Sequence, residues 1–263
     1  MFSVTILGNN SAVPAYERLP TSQLVNMDGQ KFLVDCGEGT QLQLMRYKVK
    51  YSRISHIFIS HLHGDHYFGL IGLINSFGLL NRQQDLYVFG PPPLKNIIEL
   101  QLQVASTRLP FALHLKEIAK PGVLMESDDI EVSCFATDHR ITCYGYSFCE
   151  KRVTRKREEA GGQPRRYAFC ADTRYSEKLA EQVKRYDLIY HEATYLDDQR
   201  EKAELRYHST ARQAALLAKK AEVKRLLLGH FSSQYEHLDQ FEQEARAEFP
   251  NTDLAKQGVS YML

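Results

Sequence analysis

Two rhythms of apolar residues run along this chain. Short runs rich in β-branched, aromatic and aliphatic residues recur at Val4–Leu7, Lys31–Asp35, His56–Ser60, Leu86–Phe89, Ile130–Ala136, Tyr144–Phe148, Tyr167–Cys170, Leu188–His191 and Arg225–Leu228, and they predict strands. Apolar residues spaced three and four apart predict helices over Gly39–Tyr47, Tyr67–Leu80, Pro93–Thr107, Ser176–Tyr186, Thr210–Ala221 and Leu238–Phe249. Strands dominate early and alternate with helices later, the pattern expected for sheets packed face to face with helices outside. The pattern contains no internal repeat and no low-complexity linker.

Composition narrows the picture. With 263 residues, 43% of them apolar, the chain can form one large domain or two small ones with a substantial core. A net charge of +1, from 33 basic and 32 acidic residues, announces no global field, so any nucleic-acid site must be a local patch. The five cysteines, Cys36, Cys134, Cys143, Cys149 and Cys170, are odd in number and form no Cys-x-x-Cys pair; they read as reduced thiols beside strands. The start, Met1 to Gly8, lacks the basic and long apolar regions of a secretory signal. The stretch Tyr67 to Leu80, broken by Asn75 and Ser76, falls short of the roughly 20 residues that span a bilayer. A cytoplasmic protein is expected. Between Lys151 and Arg166 seven basic residues meet Gly161-Gly162 and Pro164, which reads as an exposed loop.

The strongest chemical signal is Ser60-His61-Leu62-His63-Gly64-Asp65-His66. In extended backbone His61 and His63 project to one side and can pinch one cation. Asp65 and His66 are then more than that ion needs, which points to a second metal about 3.5–4 Å away, as in two-metal hydrolases. Imidazole with carboxylate suits zinc, with manganese or iron(II) as substitutes. More ligands are required, and His139, Asp172 and His230 each follow an apolar run. Singly, each reads by default as a hydrogen-bonded loop residue; together with the His61–His66 cluster, the coincidence favours a site.

Nearly end to end, the sequence resembles the metallo-β-lactamase superfamily and, within it, the short-form ribonuclease Z family of tRNA 3′-processing endonucleases. The resemblance is carried by Asp35-Cys36-Gly37-Glu38-Gly39-Thr40-Gln41, His61 to His66, Phe89-Gly90-Pro91, His139-Arg140-Ile141, Ala171-Asp172-Thr173-Arg174, His191-Glu192-Ala193-Thr194, His208-Ser209-Thr210 and Gly229-His230-Phe231-Ser232-Ser233. It implies a single αββα domain over 1–263 and two zinc ions, one on His61, His63 and His139, the other on Asp65, His66 and His230, with Asp172 bridging. It also implies that Asp65 orients the attacking water and takes its proton, and that His208, oriented by Glu192, protonates the departing 3′ oxygen. The substrate implied is precursor tRNA or another RNA, and the assembly implied is a homodimer. Asp138 reads as an exposed loop acid, Ser209 and Thr210 as helix caps, Gly37 to Gly39 as a tight turn or phosphate cradle, and Met45, Tyr47 and Tyr51 as packing residues.

Three departures from the family bear on substrate. Only the basic stretch 151–166 stands where bacterial short forms carry a long flexible arm, and Arg155, Lys156 and Arg157 are its candidates for pairing with phosphates. The loop Pro14 to Leu19 keeps the family's proline and arginine spacing without its lysine and asparagine, and Gln234 replaces an arginine. An arm-less dinuclear zinc phosphodiesterase acting on another RNA or a small phosphodiester is therefore the principal alternative. A lactone, thioester or β-lactam hydrolase comes next. A non-catalytic RNA-binding module fits least, because all seven ligand positions are filled.

Overall fold

A computed structural model describes residues 1–153, 158 and 161–263. The chain divides into two compact units, Met1–Ala119 with Ser232–Glu236 and Lys256–Met262, and Lys120–Phe231 with His237–Ala255 and Leu263.

The first unit holds a seven-stranded mixed sheet. Strands β1 (Phe2–Gly8), β2 (Ser22–Met27) and β3 (Gln30–Val34) are antiparallel neighbours, and β14 (Ser260–Met262) pairs antiparallel with β1. From β3 the sheet continues in parallel through β4 (Ile54–Phe58), β5 (Leu86–Gly90) and β6 (Leu113–Glu117). Parallel neighbours need crossovers, which α1 (Thr40–Arg46), α2 (Gly64–Tyr67), α3 (Leu70–Leu79) and α4 (Pro93–Val104) supply. Alternation along the strands sends Leu33, Ile57 and Val88 into one core with Leu44, Leu73, Phe77 and Ile98 of the helices. Asp35 and the His61–His66 loop follow the C-terminal ends of β3 and β4, where open parallel sheets place their ligands.

The second unit repeats the plan, with β7 (Gly122–Glu126), β8 (Ile130–Ala136), β9 (Tyr144–Glu150) and β10 (Arg166–Phe169) antiparallel. β10 continues in parallel into β11 (Leu188–Glu192), β12 (Leu226–Gly229) and β13 (Thr252–Leu254). The helices are α5 (Glu177–Gln182), α6 (Arg200–Leu205), α7 (Ala211–Lys220) and α8 (Asp239–Glu248). Thr210 caps α7 by accepting from the backbone of Gln213 while the Gln213 side chain accepts from Thr210 N–H, a reciprocal capping box. Ser209 does not cap as expected; its hydroxyl donates to the Thr173 carbonyl at 2.7 Å.

The sequence reading differs from the structure at several elements. Strands β2, β6, β7, β13 and β14 and helix α6 lie outside the predicted runs, and α2 meets the predicted helix only at Tyr67. Four of those strands are sheet edges, short and polar, whose backbone is satisfied by one partner rather than by a local apolar pattern. The hairpin joining β2 to β3 did carry a signal, Asp28-Gly29, with both residues left-handed at φ 48° and 89°. The helix expected over 67–80 breaks at Gly69, whose N–H donates to the Cys36 carbonyl at 2.9 Å. A Cβ at Gly69 would stand 2.3 Å from the Gly37 carbonyl oxygen, and one at Gly37 would stand 2.4 Å from the Asp65 carbonyl oxygen. The two glycines let the loops after β3 and β4 pass in backbone contact. No helix among the described residues is long and apolar enough to cross a membrane.

Candidate metal centre

In the first unit, the buried Asp35 carboxylate organises the histidine loop. It accepts from Ser60 N–H at 2.7 Å and from the Ser60 hydroxyl at 2.8 Å, and it stands 2.6 Å from His66 Nδ1. Burial raises the Asp35 carboxyl above its ordinary range, and His66 and Ser60 draw it back. His61 Nδ1 lies 3.0 Å from the Ser60 oxygen. Because the single hydroxyl proton of Ser60 is given to Asp35, His61 Nδ1 is the donor in that contact. His61 Nε2 then faces His63 Nδ1 at 2.9 Å, and His66 Nε2 faces Asp65 Oδ2 at 3.6 Å.

In the second unit, loops at the ends of four strands converge on Asp172, itself buried. His230 Nε2 is 3.3 Å from Asp172 Oδ1, and His139 Nε2 is 4.0 Å from Asp172 Oδ2. Asp172, His208 and His230 each offer a ligand atom within 4.8 Å of the others. Behind them lies Glu192, which accepts from Thr173 N–H and Thr194 N–H, both at 3.1 Å, and from the Thr194 hydroxyl at 2.7 Å. His208 Nδ1 sits 2.8 Å from Glu192 Oε1. Burial opposes the charge on Glu192, but His208 outweighs it and holds the carboxyl below the ordinary range. Burial lowers the pKa of His139 against the pull of Asp172, so its imidazole is neutral at neutral pH.

The protons can be placed by counting donors. His139 Nδ1 donates to the Tyr207 carbonyl at 3.0 Å, and the Nδ1 atoms of His66 and His208 donate to carboxylates. The Thr194 hydroxyl, having given its proton to Glu192, must accept from His230 Nδ1 at 2.9 Å. His61, His66, His139 and His230 therefore all carry the proton on Nδ1 and point Nε2 into the cluster, the arrangement that outer hydrogen bonds impose on metal-binding imidazoles. This donor set, imidazoles and carboxylates, fits a divalent metal. Left-handed φ values at Asp35 (54°), Ala171 (51°), Tyr207 (60°) and His230 (58°) mark backbone held in costly conformations beside these groups.

Within each unit the structure brings the sequence candidates together: His61, His63, Asp65 and His66 in the first, His139, Asp172, Glu192, His208 and His230 in the second. Asp138 is exposed and paired with Arg174 at 3.0 Å. Arg155, Lys156 and Arg157 lie outside the described residues. Three other basic residues of that stretch serve the chain itself: Lys151 pairs with Glu126 at 2.6 Å, Arg165 with Glu150, and Arg166 donates to the Arg185 carbonyl at 2.8 Å. The sequence reading missed Asp35, Ser60 and Thr194 as supports. Asp35 was visible in kind, a carboxylate at a strand end, but Ser60 and Thr194 gain their roles only from register.

The chain is similar to known proteins along nearly its whole length. The family model described as "Anti-Pycsar protein Apyc1" matches residues 2–255. Ribonuclease Z of Parabacteroides distasonis is 36% identical over 297 residues, covering 98% of each chain. That alignment is longer than the 263 residues of this chain, so the relative carries residues for which this chain has none. A crystal structure of human tRNase Z, short form, superposes with a TM-score of 0.83 at 30% identity, covering 99% of this chain and 98% of that one. The metallo-β-lactamase fold protein YhfI from Bacillus subtilis shares the fold, with a TM-score of 0.78 at 22% identity and coverage of 99% and 98%. With both sheets and both clusters of histidine and aspartate in place, this chain belongs to the ribonuclease Z family, metal-dependent hydrolases built on the metallo-β-lactamase fold.

Proposed function

We propose that the two units work as one domain, 1–263, whose histidine and aspartate sets share two zinc ions, and that the protein removes the 3′ trailer of precursor tRNA. His61, His63 and His139 would hold one ion and Asp65, His66 and His230 the other, with Asp172 between them. The observation that carries this reading is the common tautomer: in both units the Nδ1 protons are engaged by protein acceptors and the lone pairs lie on Nε2. When bound, the metal pair supplies a water acidic enough to ionise near neutral pH and offsets the charge of the phosphodiester.

The chain's own groups do the rest. Asp65 orients the water and accepts its proton. His208, on the Glu192 carboxylate, presents Nε2 as proton donor to the departing 3′ oxygen, and the buried Glu192 stabilises its protonated form. The products are a 3′-hydroxyl on the tRNA and a 5′-phosphate on the trailer. Arg155, Lys156 and Arg157 would contact RNA phosphates, a second copy of the chain would complete a homodimer, and the setting would be the cytoplasm. Cleavage of labelled precursor tRNA near the discriminator base by zinc-loaded protein, abolished in Asp65→Ala, is the expected result.

A second reading is favoured by the residues missing relative to the ribonuclease Z of P. distasonis and by a family model under another name. In it the same centre hydrolyses another RNA or a small phosphodiester. Turnover of a chromogenic phosphodiester with no cutting of precursor tRNA selects it.

A further inference from the structure

The loop between β1 and β2 reaches the histidine cluster through its backbone. Ala12 N–H donates to Asp65 Oδ2 at 2.7 Å, and Ala12 is left-handed at φ 62°. A residue with a Cβ holds that conformation only when its surroundings enforce it. Two hydrogen bonds close the turn around Ala12: Val13 N–H donates to the Ser11 carbonyl at 2.7 Å, and the Asn10 side chain ties the turn down from outside, its Nδ2 donating to the Val13 carbonyl at 2.6 Å. Asn10 is held in turn by Arg18, whose Nε donates to Asn10 Oδ1 at 2.9 Å.

Arg18 is itself anchored. It is 9% exposed, with Nη1 donating to the Glu236 carbonyl at 2.9 Å and Nη2 to the Tyr235 carbonyl. Its own turn is closed by reciprocal hydrogen bonds between Ala15 and Arg18 at 3.0 and 2.8 Å, with Tyr16 and Glu17 left-handed between them. The guanidinium thus spends its donors on one side-chain carbonyl and two backbone carbonyls, all within the first unit. A buried arginine that gives its hydrogen bonds to neutral carbonyls, with the Glu236 charge nearby and the Tyr16 ring 5.2 Å away, is a costly way to brace a loop, and this loop ends on Asp65.

We propose that Arg18 is a positioning residue for Asp65: through Asn10 it holds the turn that aims the Ala12 amide at Oδ2, and so fixes the orientation in which the carboxylate meets metal and water. The inference deepens the reading of Asp65 given above and rests on it. It assigns to the Pro14–Leu19 segment a part in the chemistry beyond the altered substrate handling expected from its sequence. Arg18 touches no reacting atom, so its removal should alter metal affinity and kcat while leaving KM largely in place.

The test compares wild type with Arg18→Met, Arg18→Lys and Asn10→Ala, and with Glu17→Ala as the control on an exposed side chain of the same loop. Zinc affinity is read by competition with a chromophoric chelator, and kcat and KM by turnover of a chromogenic phosphodiester. Expected is about a tenfold loss of zinc affinity and of kcat in Arg18→Met and Asn10→Ala, with KM within about twofold, partial recovery in Arg18→Lys, and no change in Glu17→Ala. Should Arg18→Met fail to fold, Asn10→Ala carries the comparison, because it leaves the Arg18 anchors to Tyr235 and Glu236 in place. Wild-type zinc affinity and kcat in Arg18→Met or Asn10→Ala, or a rise in KM alone, overturns the proposal while sparing the assigned centre. A wild type that binds no zinc overturns that centre and the proposal with it.

Discussion

The hydroxyl of Thr194 accepts a hydrogen bond from Nδ1 of His230 at 2.9 Å while giving its own proton to Glu192 at 2.7 Å. One side chain thus fixes the tautomer of a candidate ligand and couples it to the carboxylate behind His208. Thr194→Val keeps the shape and removes the acceptor. It is expected to weaken zinc binding by about 10–100-fold, whereas Thr194→Ser should remain near wild type. Chelator competition checks this, and equal affinities for all three proteins would show that His230 needs no such partner.

Asp35 is the corresponding hub of the first unit. Asp35→Ala strands the Ser60 N–H and the His66 Nδ1 proton in a buried site, at a cost of about 3 kcal/mol. Asp35→Asn keeps the volume but turns a donor toward one of those groups, so it should lie between wild type and Asp35→Ala. Urea unfolding of the metal-free proteins measures the order, and a difference below about 0.5 kcal/mol, the size of an ordinary surface substitution, would remove the hub from the account.

His56 gives the fold a pH dependence away from the metal ligands. It sits opposite Tyr87 on the neighbouring strand, with ring centroids 5.0 Å apart, and burial lowers its pKa from 6.5 to about 4. Between those values the unfolded chain binds the proton and the folded chain does not. Stability from this residue is therefore present above pH 6.5 and lost as pH falls toward 4. The loss should be about 1–2 kcal/mol, reduced from the full linkage value because the ring is partly open to solvent. His56→Phe should retain the stacking and flatten this part of the acid unfolding curve; an unchanged slope would assign it to other groups.

Charge reversal of Arg155, Lys156 and Arg157 tests RNA contact by the basic stretch. Lys151, Arg165 and Arg166 are engaged within the chain, which leaves these three among the residues able to meet phosphates. Affinity for precursor tRNA should fall, and the slope of log K against log salt should become shallower by about 2 if all three pair with phosphates. Unchanged affinity and slope at low salt would leave the segment as a solvated connection.

The candidate site was legible along the chain because its histidines and aspartates lie within a few positions of strand ends. In the first unit His61 to His66 crowd into the loop after β4, and in the second His139, Asp172 and His230 follow the ends of β8, β10 and β12. Long apolar strands such as β8 and β9 and the amphipathic α4, α7 and α8 were legible for a similar reason, since each buries a face and writes a period into the sequence. Short edge strands wrote none, because a partner's backbone completes them. The proton on each imidazole was likewise invisible. Ser60, Thr194 and the Tyr207 carbonyl are ordinary residues in sequence, and they set tautomers only once strand register and left-handed turns bring them within 3 Å of a ring. Tertiary structure alone decided that the Ala12 amide meets Asp65, fifty-three residues away, because a backbone N–H is common to every residue except proline and only the path of the chain can single one out.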